Sequence, residues 1–206
     1  MEVKKAYKKA FKYLESDPVM KYLISKLGRE IDIEDRYNKN YAKAIAELII
    51  EQQISFKVAI SIKKKFNHLI SGMTNNEILE INDSKLKGIG ISRMKVKYIK
   101  NVYQYFLDNN INFDSLDNDK IINELTTIKG VGSWTAEMFL IFILFRENIF
   151  SKKDIALLNS IKLNYNIETL NDKILNNLIK SWSPYNTYAS LILWKSIEEK
   201  IFFKKN

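Results

Sequence analysis

The chain has 206 residues, 46% of them hydrophobic and 12% aromatic, so it is long and apolar enough to bury a core and lacks the composition of a disordered protein. It contains no cysteine and a single histidine, which excludes disulfides, thiol catalysis and cysteine-held zinc or iron–sulfur centres, and argues against a protein-held metal or a Ser-His-Asp site. The formal net charge of +9 favours a polyanionic partner such as nucleic acid or an anionic membrane surface.

From the sequence we expect neither a secretory signal nor a membrane-spanning segment. Residues 1–11, MEVKKAYKKAF, mix charges with apolar residues, unlike a secretory leader. The longest apolar run, Met138 to Phe145, is too short to cross a bilayer and predicts a buried helix. We therefore expect a soluble, cytoplasmic protein with no membrane partner.

Apolar residues recur three and four positions apart along most of the chain, which predicts an all-α protein of nine or ten helices. Residues 41–50 and 56–69 form a first pair, with Val58 expected on the buried face of the second helix. The polar junction EQQIS, residues 51–55, separates them, and Ser55 is suited to cap the second helix, as Ser92 is for a later one. Further helices open at Asp or Asn positions suited to N-caps: DNDKIINELTTI, DIALLNSIKLNY, NDKILNNLIKSW and NTYASLILWKSIEEKIFF.

Four of the six glycines fall in two copies of one pattern, KGIG at residues 87–90 and KGVG at residues 129–132. A Gly-x-Gly turn permits positive φ and brings backbone N–H groups to the surface, and a helix that begins there adds its positive dipole end. With a preceding lysine, this arrangement can grip a DNA phosphate without reading sequence. For KGIG, a helix C-cap with a tight turn explains the pattern at least as well, although residues 84–100 contain six basic residues and no acid.

Longer segments around these glycines resemble the helix-hairpin-helix DNA glycosylase superfamily. LTTIKGVGSWTAEMFLIF, residues 125–142, matches the hairpin motif of that family, and Asp154 lies 22 residues after Gly132, where its catalytic carboxylate is expected. IIEQQISFKVA resembles the family's wedge loop, KGIGISRMKVKYI its helix after the middle turn, and SWSPYNTYASLILW its C-terminal Trp-x-Pro-aromatic helix entry. The resemblance extends from about residue 40 onward and keeps the family's order.

One position indicates the subfamily. Superfamily members that also cut the DNA strand carry a lysine nucleophile two residues after the second hairpin glycine, and this chain has Trp134 there. Tryptophan cannot form a Schiff base, so the resemblance implies a monofunctional enzyme similar to the alkylbase glycosylases of the DNA-3-methyladenine glycosylase II type. Asn186, where relatives often have arginine, and Met138, where an aromatic residue is common, depart from the pattern and leave the base preference open.

The resemblance assigns roles to individual residues. Asp154 is the expected catalytic carboxylate, which stabilises an oxocarbenium-like sugar and aligns or deprotonates water; a plain helix N-cap is the alternative role. Gln53 or its neighbour Ile54 is the expected wedge that fills the gap left by a flipped base. The expected base pocket consists of Trp134, Trp194, Met138 and Tyr185. The expected DNA contacts are Lys129, Gly130, Gly132, Ser133, Lys95 and Lys97, together with the wedge.

The implied protein is a DNA repair glycosylase that acts, as a cytoplasmic and nucleoid-associated monomer, on double-stranded DNA containing a damaged base. The fold implied is all-α, with two helical lobes and a cleft holding Asp154, Trp134 and Trp194. Residues 38–148 form the hairpin-bearing bundle, while residues 1–37 and 149–206 build the second lobe.

No cofactor is expected, and a monovalent or other cation at the hairpin carbonyls is left open for the DNA-bound state. The alternatives are a glycosylase of this fold for oxidised or mismatched bases and a non-catalytic DNA-binding protein.

Overall fold

The computed structural model describes residues 2–33 and 36–204. Within these ranges the chain forms twelve α-helices and no β-strand, so the predicted all-α class is confirmed. None of these helices has the length and apolar composition needed to cross a membrane. The helices are α1 (Glu2–Leu14), α2 (Pro18–Leu27), α3 (Tyr41–Glu51), α4 (Phe56–Leu69), α5 (Asn75–Leu79), α6 (Asp83–Gly88), α7 (Arg93–Asp108), α8 (Asn118–Thr126), α9 (Ser133–Phe142), α10 (Ile155–Tyr165), α11 (Asp172–Trp182) and α12 (Asn186–Glu198).

The chain divides into two compact units. One comprises residues 36–144 and contains α3 to α9. The other combines the N-terminal segment up to residue 35 with the chain from Phe145 onward, and contains α1, α2 and α10 to α12. The boundaries expected from the sequence, at residues 37 and 148, stay a prediction.

In the unit of residues 36–144, α3 is the central helix and packs against α4, α7 and α9. Its sequence YAKAIAELIIE is apolar on nearly every side, as expected of a helix surrounded by others. Ala42, Ala44 and Ala46 are all buried, and their small side chains let neighbouring helices approach closely. α9 is equally apolar, because the run from Met138 to Phe142 lies in the core.

The helical phase of α4 differs from the prediction. Val58 was expected on the buried face, but 46% of it is exposed, whereas Ala59 and Phe66 are buried. The predicted junction before this helix is confirmed: α3 ends at Glu51 and Ser55 is the N-cap of α4, although no backbone N–H bonds to its side chain. The short helices α5 and α6 contain too few residues to reveal a period in the sequence.

In the other unit, α12 packs against α1, α2, α10 and α11. Its start differs from the prediction, since Asn186 is the first helical residue and not the N-cap. Tyr185 occupies the N-cap position without a side-chain bond. Asn186 is buried, and its Nδ2 donates to Asn148 Oδ1 at 2.6 Å, so its side chain holds the preceding loop instead of capping the helix.

A buried polar cluster fixes α10 against α12. Asn164 Nδ2 donates to Ser160 Oγ and Ser196 Oγ, each at 3.1 Å, and the two hydroxyls lie 2.8 Å apart. Asn164 Oδ1 accepts from the backbone N–H of Phe203 at 2.9 Å. Because buried polar groups are costly without partners, this cluster allows only one register between the two helices.

We expect Asn164→Ala to lower the free energy of unfolding by about 2–3 kcal/mol, because it removes the amide that donates to the Ser160 and Ser196 hydroxyls and the oxygen that accepts from the Phe203 N–H. Urea denaturation measures the change. Asn159→Ala, at an exposed position of the same helix, is the control and should change stability by less than about 0.5 kcal/mol. Equal effects of the two substitutions would show that the cluster does not fix the helices.

Candidate functional site

The KGVG turn joins α8 to α9 and has a backbone that requires glycine at its first glycine position. Gly130 has a φ of 109°, in the left-handed region, and a Cβ placed on it would lie 2.2 Å from Cγ of Tyr98. Asn101 Nδ2 donates to the carbonyl of Lys129 at 3.0 Å. Two side chains of α7, those of Tyr98 and Asn101, therefore contact the turn. The Lys129 side chain is exposed.

Gly132 is the N-cap of α9, and Ser133 is the first residue of that helix. The N–H groups of the following turn point towards the hairpin, as at any helix N-terminus. The predicted hairpin residues are thus adjacent at the beginning of a helix whose dipole favours a bound anion.

The KGIG turn has a similar sequence but a different backbone. Here the second glycine, Gly90, has the positive φ, 103°, whereas Gly88 is the last residue of α6. A Cβ on Gly90 would make only ordinary contacts, at 3.4 Å from Ile62. α7 begins after this turn at Arg93, with Ser92 as the predicted N-cap accepting from the N–H of Lys95 at 3.3 Å. The two turns are not structural copies.

The EQQIS loop between α3 and α4 is bonded to the KGVG hairpin. Gln52 Nε2 donates to the carbonyl of Gly130 at 3.2 Å and to Oγ1 of Thr135 at 2.8 Å. Gln53 is exposed at a φ of 56°, and Ile54 is half-buried. Sequence reasoning considered Gln53 and Ile54 but missed Gln52, and the only sequence signal for it was the doubled glutamine.

Lys95 was expected to contact DNA, but in the structure its side chain donates to backbone carbonyls of the same unit. Its Nζ donates to the carbonyls of Ile50 and Gln52 at 2.9 and 2.6 Å, so the ammonium caps the C-terminus of α3. Burial lowers the pKa of this ammonium below its ordinary value. Lys97, two residues further along the same helix, is exposed.

The basic stretch of residues 84–100 is therefore only partly available to a ligand. Lys95 is bonded internally, and Lys100 pairs with Asp83 at 2.8 Å. The other four basic side chains are exposed: Lys85, Lys87, Arg93 and Lys97.

The predicted base-pocket residues have different environments. Trp134 is half-buried on the first turn of α9, and Met138 follows one turn later with only 2% of its surface exposed. Tyr185 is also buried, and its ring packs edge-on against Tyr13 at 5.3 Å between centroids. Tyr185 therefore packs within its own unit, and its role in the base pocket stays a prediction.

Asp154 is the N-cap of α10, as the sequence predicted. Its Oδ1 accepts from the backbone N–H of Leu157 at 2.9 Å and from Nε1 of Trp194 at 3.1 Å. Trp194 lies on α12, half-buried like Asp154, so the two predicted residues are brought into direct contact. The carboxylate is positioned by a donor from its own helix and by a donor from α12.

Across residues 2–33 and 36–204, no group of three or more His, Cys, Asp or Glu side chains is placed to hold a metal ion. The hairpin carbonyls already accept hydrogen bonds: Ile128 O from Val131 N–H, Lys129 O from Asn101, and Gly130 O from Gln52. The cation considered for these carbonyls stays a prediction, and no step proposed below depends on it.

Residues 46–184 match the sequence profile of the HhH-GPD superfamily base excision DNA repair proteins. The chain belongs to this superfamily. The matched HhH-GPD region contains the EQQIS loop, both Lys-Gly-apolar-Gly turns and Asp154, while Trp194 lies beyond its end.

Individual HhH-GPD relatives agree with the profile. The chain is 29% identical over 162 residues to the putative DNA-3-methyladenine glycosylase YfjP of Bacillus subtilis, a match that covers 73% of this chain and 56% of that protein's length. It is 24% identical to DNA-3-methyladenine glycosylase 1 of Schizosaccharomyces pombe, over 87% of this chain and 82% of the relative. The structure is similar to that of S. pombe 3-methyladenine DNA glycosylase Mag1 in complex with abasic DNA, with a TM-score of 0.85, 25% identity and coverage of 92% and 97% of the two chains.

We expect Gly130→Ala to destabilise the protein by at least about 3 kcal/mol, because it combines a left-handed backbone with an overlap on the Tyr98 ring. Gly88→Ala, at the matching position of the other turn, is the control. No atom lies within 4 Å of a Cβ at Gly88, so its cost should stay below about 0.5 kcal/mol. Thermal and urea denaturation measure both variants, and equal stabilities would contradict the difference between the turns.

Proposed function

We propose that the protein is a monofunctional DNA glycosylase that hydrolyses the N-glycosidic bond of an alkylated base of the 3-methyladenine type and leaves an abasic site. The observation that carries this proposal is the Asp154 carboxylate, which accepts from Leu157 N–H and Trp194 Nε1 at the N-terminus of α10. The family membership and the similarity to proteins named as DNA-3-methyladenine glycosylases support the same activity.

The proposed chemistry needs one carboxylate. The damaged nucleotide first leaves the base stack, at an unpairing cost that is lower for damaged bases. The glycosidic bond then breaks with its electron pair going to the base, and the positive charge that develops on the sugar is stabilised by the anionic Asp154. Water adds to C1′ and gives its proton to this carboxylate. A cationic alkylated base is a competent leaving group, so a second acidic residue is not required.

Trp134 and Trp194 are the side chains to which we assign stacking on the base. An electron-poor, positively charged purine is attracted to aromatic faces by cation–π interaction. Trp194 is then assigned two roles: its ring stacks on the base, and its N–H donates to Asp154. The presence of tryptophan at residue 134, where strand-cutting relatives carry lysine, supports a glycosylase without lyase activity.

Double-stranded DNA is the proposed partner. The amides of Gly130 and Gly132 at the start of α9, with the exposed Lys129, form the proposed phosphate grip. Gln53, exposed at the tip of the EQQIS loop, is the proposed wedge, and the half-buried Ile54 is its neighbour. Lys97 and the other exposed cations of α6 and α7 add charge that is not sequence-selective.

The Asp154→Asn variant tests the catalytic assignment. Asparagine keeps an oxygen that can accept from Leu157 and Trp194, so folding should be unchanged, but the negative charge is lost. We expect single-turnover release of 3-methyladenine from duplex DNA to fall at least about 100-fold, while affinity for an abasic-site duplex changes less than about threefold. Chromatography of released base measures the rate, and fluorescence anisotropy measures binding.

Other outcomes point to the alternatives. Equal release by wild type and Asp154→Asn would contradict the role of Asp154. Release of base from duplexes with oxidised or mismatched bases, but not from alkylated DNA, would contradict alkylated bases as the substrate and support the alternative substrate class. Trapping of a covalent complex by borohydride would contradict a monofunctional mechanism, and DNA binding without release of any base would indicate a binding protein.

A further inference from the structure

Two side chains, those of Gln52 and Lys95, hold the EQQIS loop by hydrogen bonds. A glutamine amide has two N–H groups, and those of Gln52 have two acceptors, the Gly130 carbonyl and the Thr135 hydroxyl. Thr135 is 1% exposed on the first turn of α9. Gln52 therefore contacts the hairpin on both sides of Gly132, in the turn and in the helix that follows.

Lys95 fixes the other side of the same loop. The last carbonyls of a helix lack intrahelical partners, and the Lys95 ammonium donates to two carbonyls at the end of α3, those of Ile50 and Gln52. Gln52 is thus bonded through its carbonyl to Lys95 and through its amide to the hairpin. Three segments of one unit, α7, the loop and the hairpin, are linked through this residue.

Gln53 follows Gln52 directly and has a left-handed backbone with a φ of 56°. This conformation is unfavourable for a residue with a Cβ and persists where the neighbouring structure imposes it. Gln52 is bonded on one side of Gln53, and on the other side Ser55 is the N-cap residue of α4, whose carbonyl accepts from the N–H of Ala59 at 2.9 Å. The direction of the exposed Gln53 side chain is therefore set by the bonds of Gln52.

We propose that Gln52 and Lys95 are positioning residues that couple the wedge Gln53 to the phosphate-binding hairpin. They hold Gln53 at one position relative to the hairpin, so that Gln53 is placed to fill the gap in the base stack when the hairpin binds a phosphate. This inference rests on the proposed function for its DNA roles. It does not require either residue to touch DNA, because Gln52 acts through Gln53 and Gly130, and Lys95 acts through Gln52.

The first test uses the free protein. Gln52→Glu preserves size but replaces the amide nitrogen with an oxygen, which cannot donate to the Gly130 carbonyl. We expect hydrogen exchange of the Val131 and Ala136 amides, which bond to Ile128 O and Gly132 O, to accelerate at least about tenfold. Gln104→Glu is the control, because it makes the same change at an exposed site of α7 and should alter these rates less than about twofold. Unchanged exchange in Gln52→Glu would overturn the proposal.

The second test measures coupling on DNA. Lys129→Ala perturbs the hairpin and Gln53→Ala removes the wedge, and their separate and combined effects on Kd are measured with a duplex containing a tetrahydrofuran abasic analogue. We expect the effects to be non-additive by at least about threefold in the wild-type background, and additive within error in the Gln52→Glu and Lys95→Met backgrounds. A loss of stability alone would shift all affinities without changing the non-additivity. Equal coupling in all backgrounds would overturn the proposal.

This design separates the positioning role from the enzymatic proposal. The abasic duplex has no base to release, so the coupling is measured whether or not the protein is a glycosylase. Base release by the wild type from alkylated duplex tests the enzyme independently. Coupling that depends on Gln52, in a protein that releases no base, would support the positioning role and contradict the proposed function. Absence of DNA binding by the wild type would contradict both.

Discussion

The hydrogen bond from the Trp194 indole to the Asp154 carboxylate is the interaction on which the proposed chemistry depends. A lone carboxylate can stabilise a developing sugar cation only if its direction is fixed before the reaction begins. Asp154 is held by α10 through the Leu157 N–H and by α12 through Trp194. The position of the carboxylate therefore depends on how these two helices pack against each other. The buried cluster of Ser160, Asn164 and Ser196 holds that geometry in one register.

In the unit of residues 36–144, side-chain hydrogen bonds hold the EQQIS loop and the KGVG hairpin in place. Asn101, Gln52 and Lys95 all donate to carbonyls at turns or helix ends. Position 130 requires glycine, because a Cβ there would overlap the Tyr98 side chain. Positive charge remains on the outside, where Lys97 and Lys129 are exposed.

Local signals allowed much of this to be predicted from the sequence. The all-α class follows from apolar spacing, and the caps at Ser92 and Asp154 follow from residue type at a helix start. The assignment of Asp154 and Trp194 to one site came from family resemblance, because 40 residues separate them and no local pattern connects them. The hydrogen bond between the two side chains was not predicted.

The features that were missed depend on tertiary contacts. For KGIG the sequence already offered a helix C-cap with a tight turn, but it did not show that the positive φ falls on different glycines or that Tyr98 lies against Gly130. Lys95 looks like any basic residue until α7 places it beside the end of α3. Val58 has the right spacing for a buried face, but α4 presents Ala59 to the core instead, while Phe66 of the predicted face is buried as expected.

The most direct test of the central claim compares two Trp→Phe variants. Trp194→Phe keeps an aromatic face but removes the N–H donated to Asp154, while Trp182→Phe makes the same change at a buried indole in the same unit that donates to Asp17 at 3.4 Å. We predict that single-turnover release of 3-methyladenine, measured well below both melting temperatures, falls at least about tenfold in Trp194→Phe and less than about twofold in Trp182→Phe. Equal rates in the two variants would contradict the claim that the indole of Trp194 orients the catalytic carboxylate.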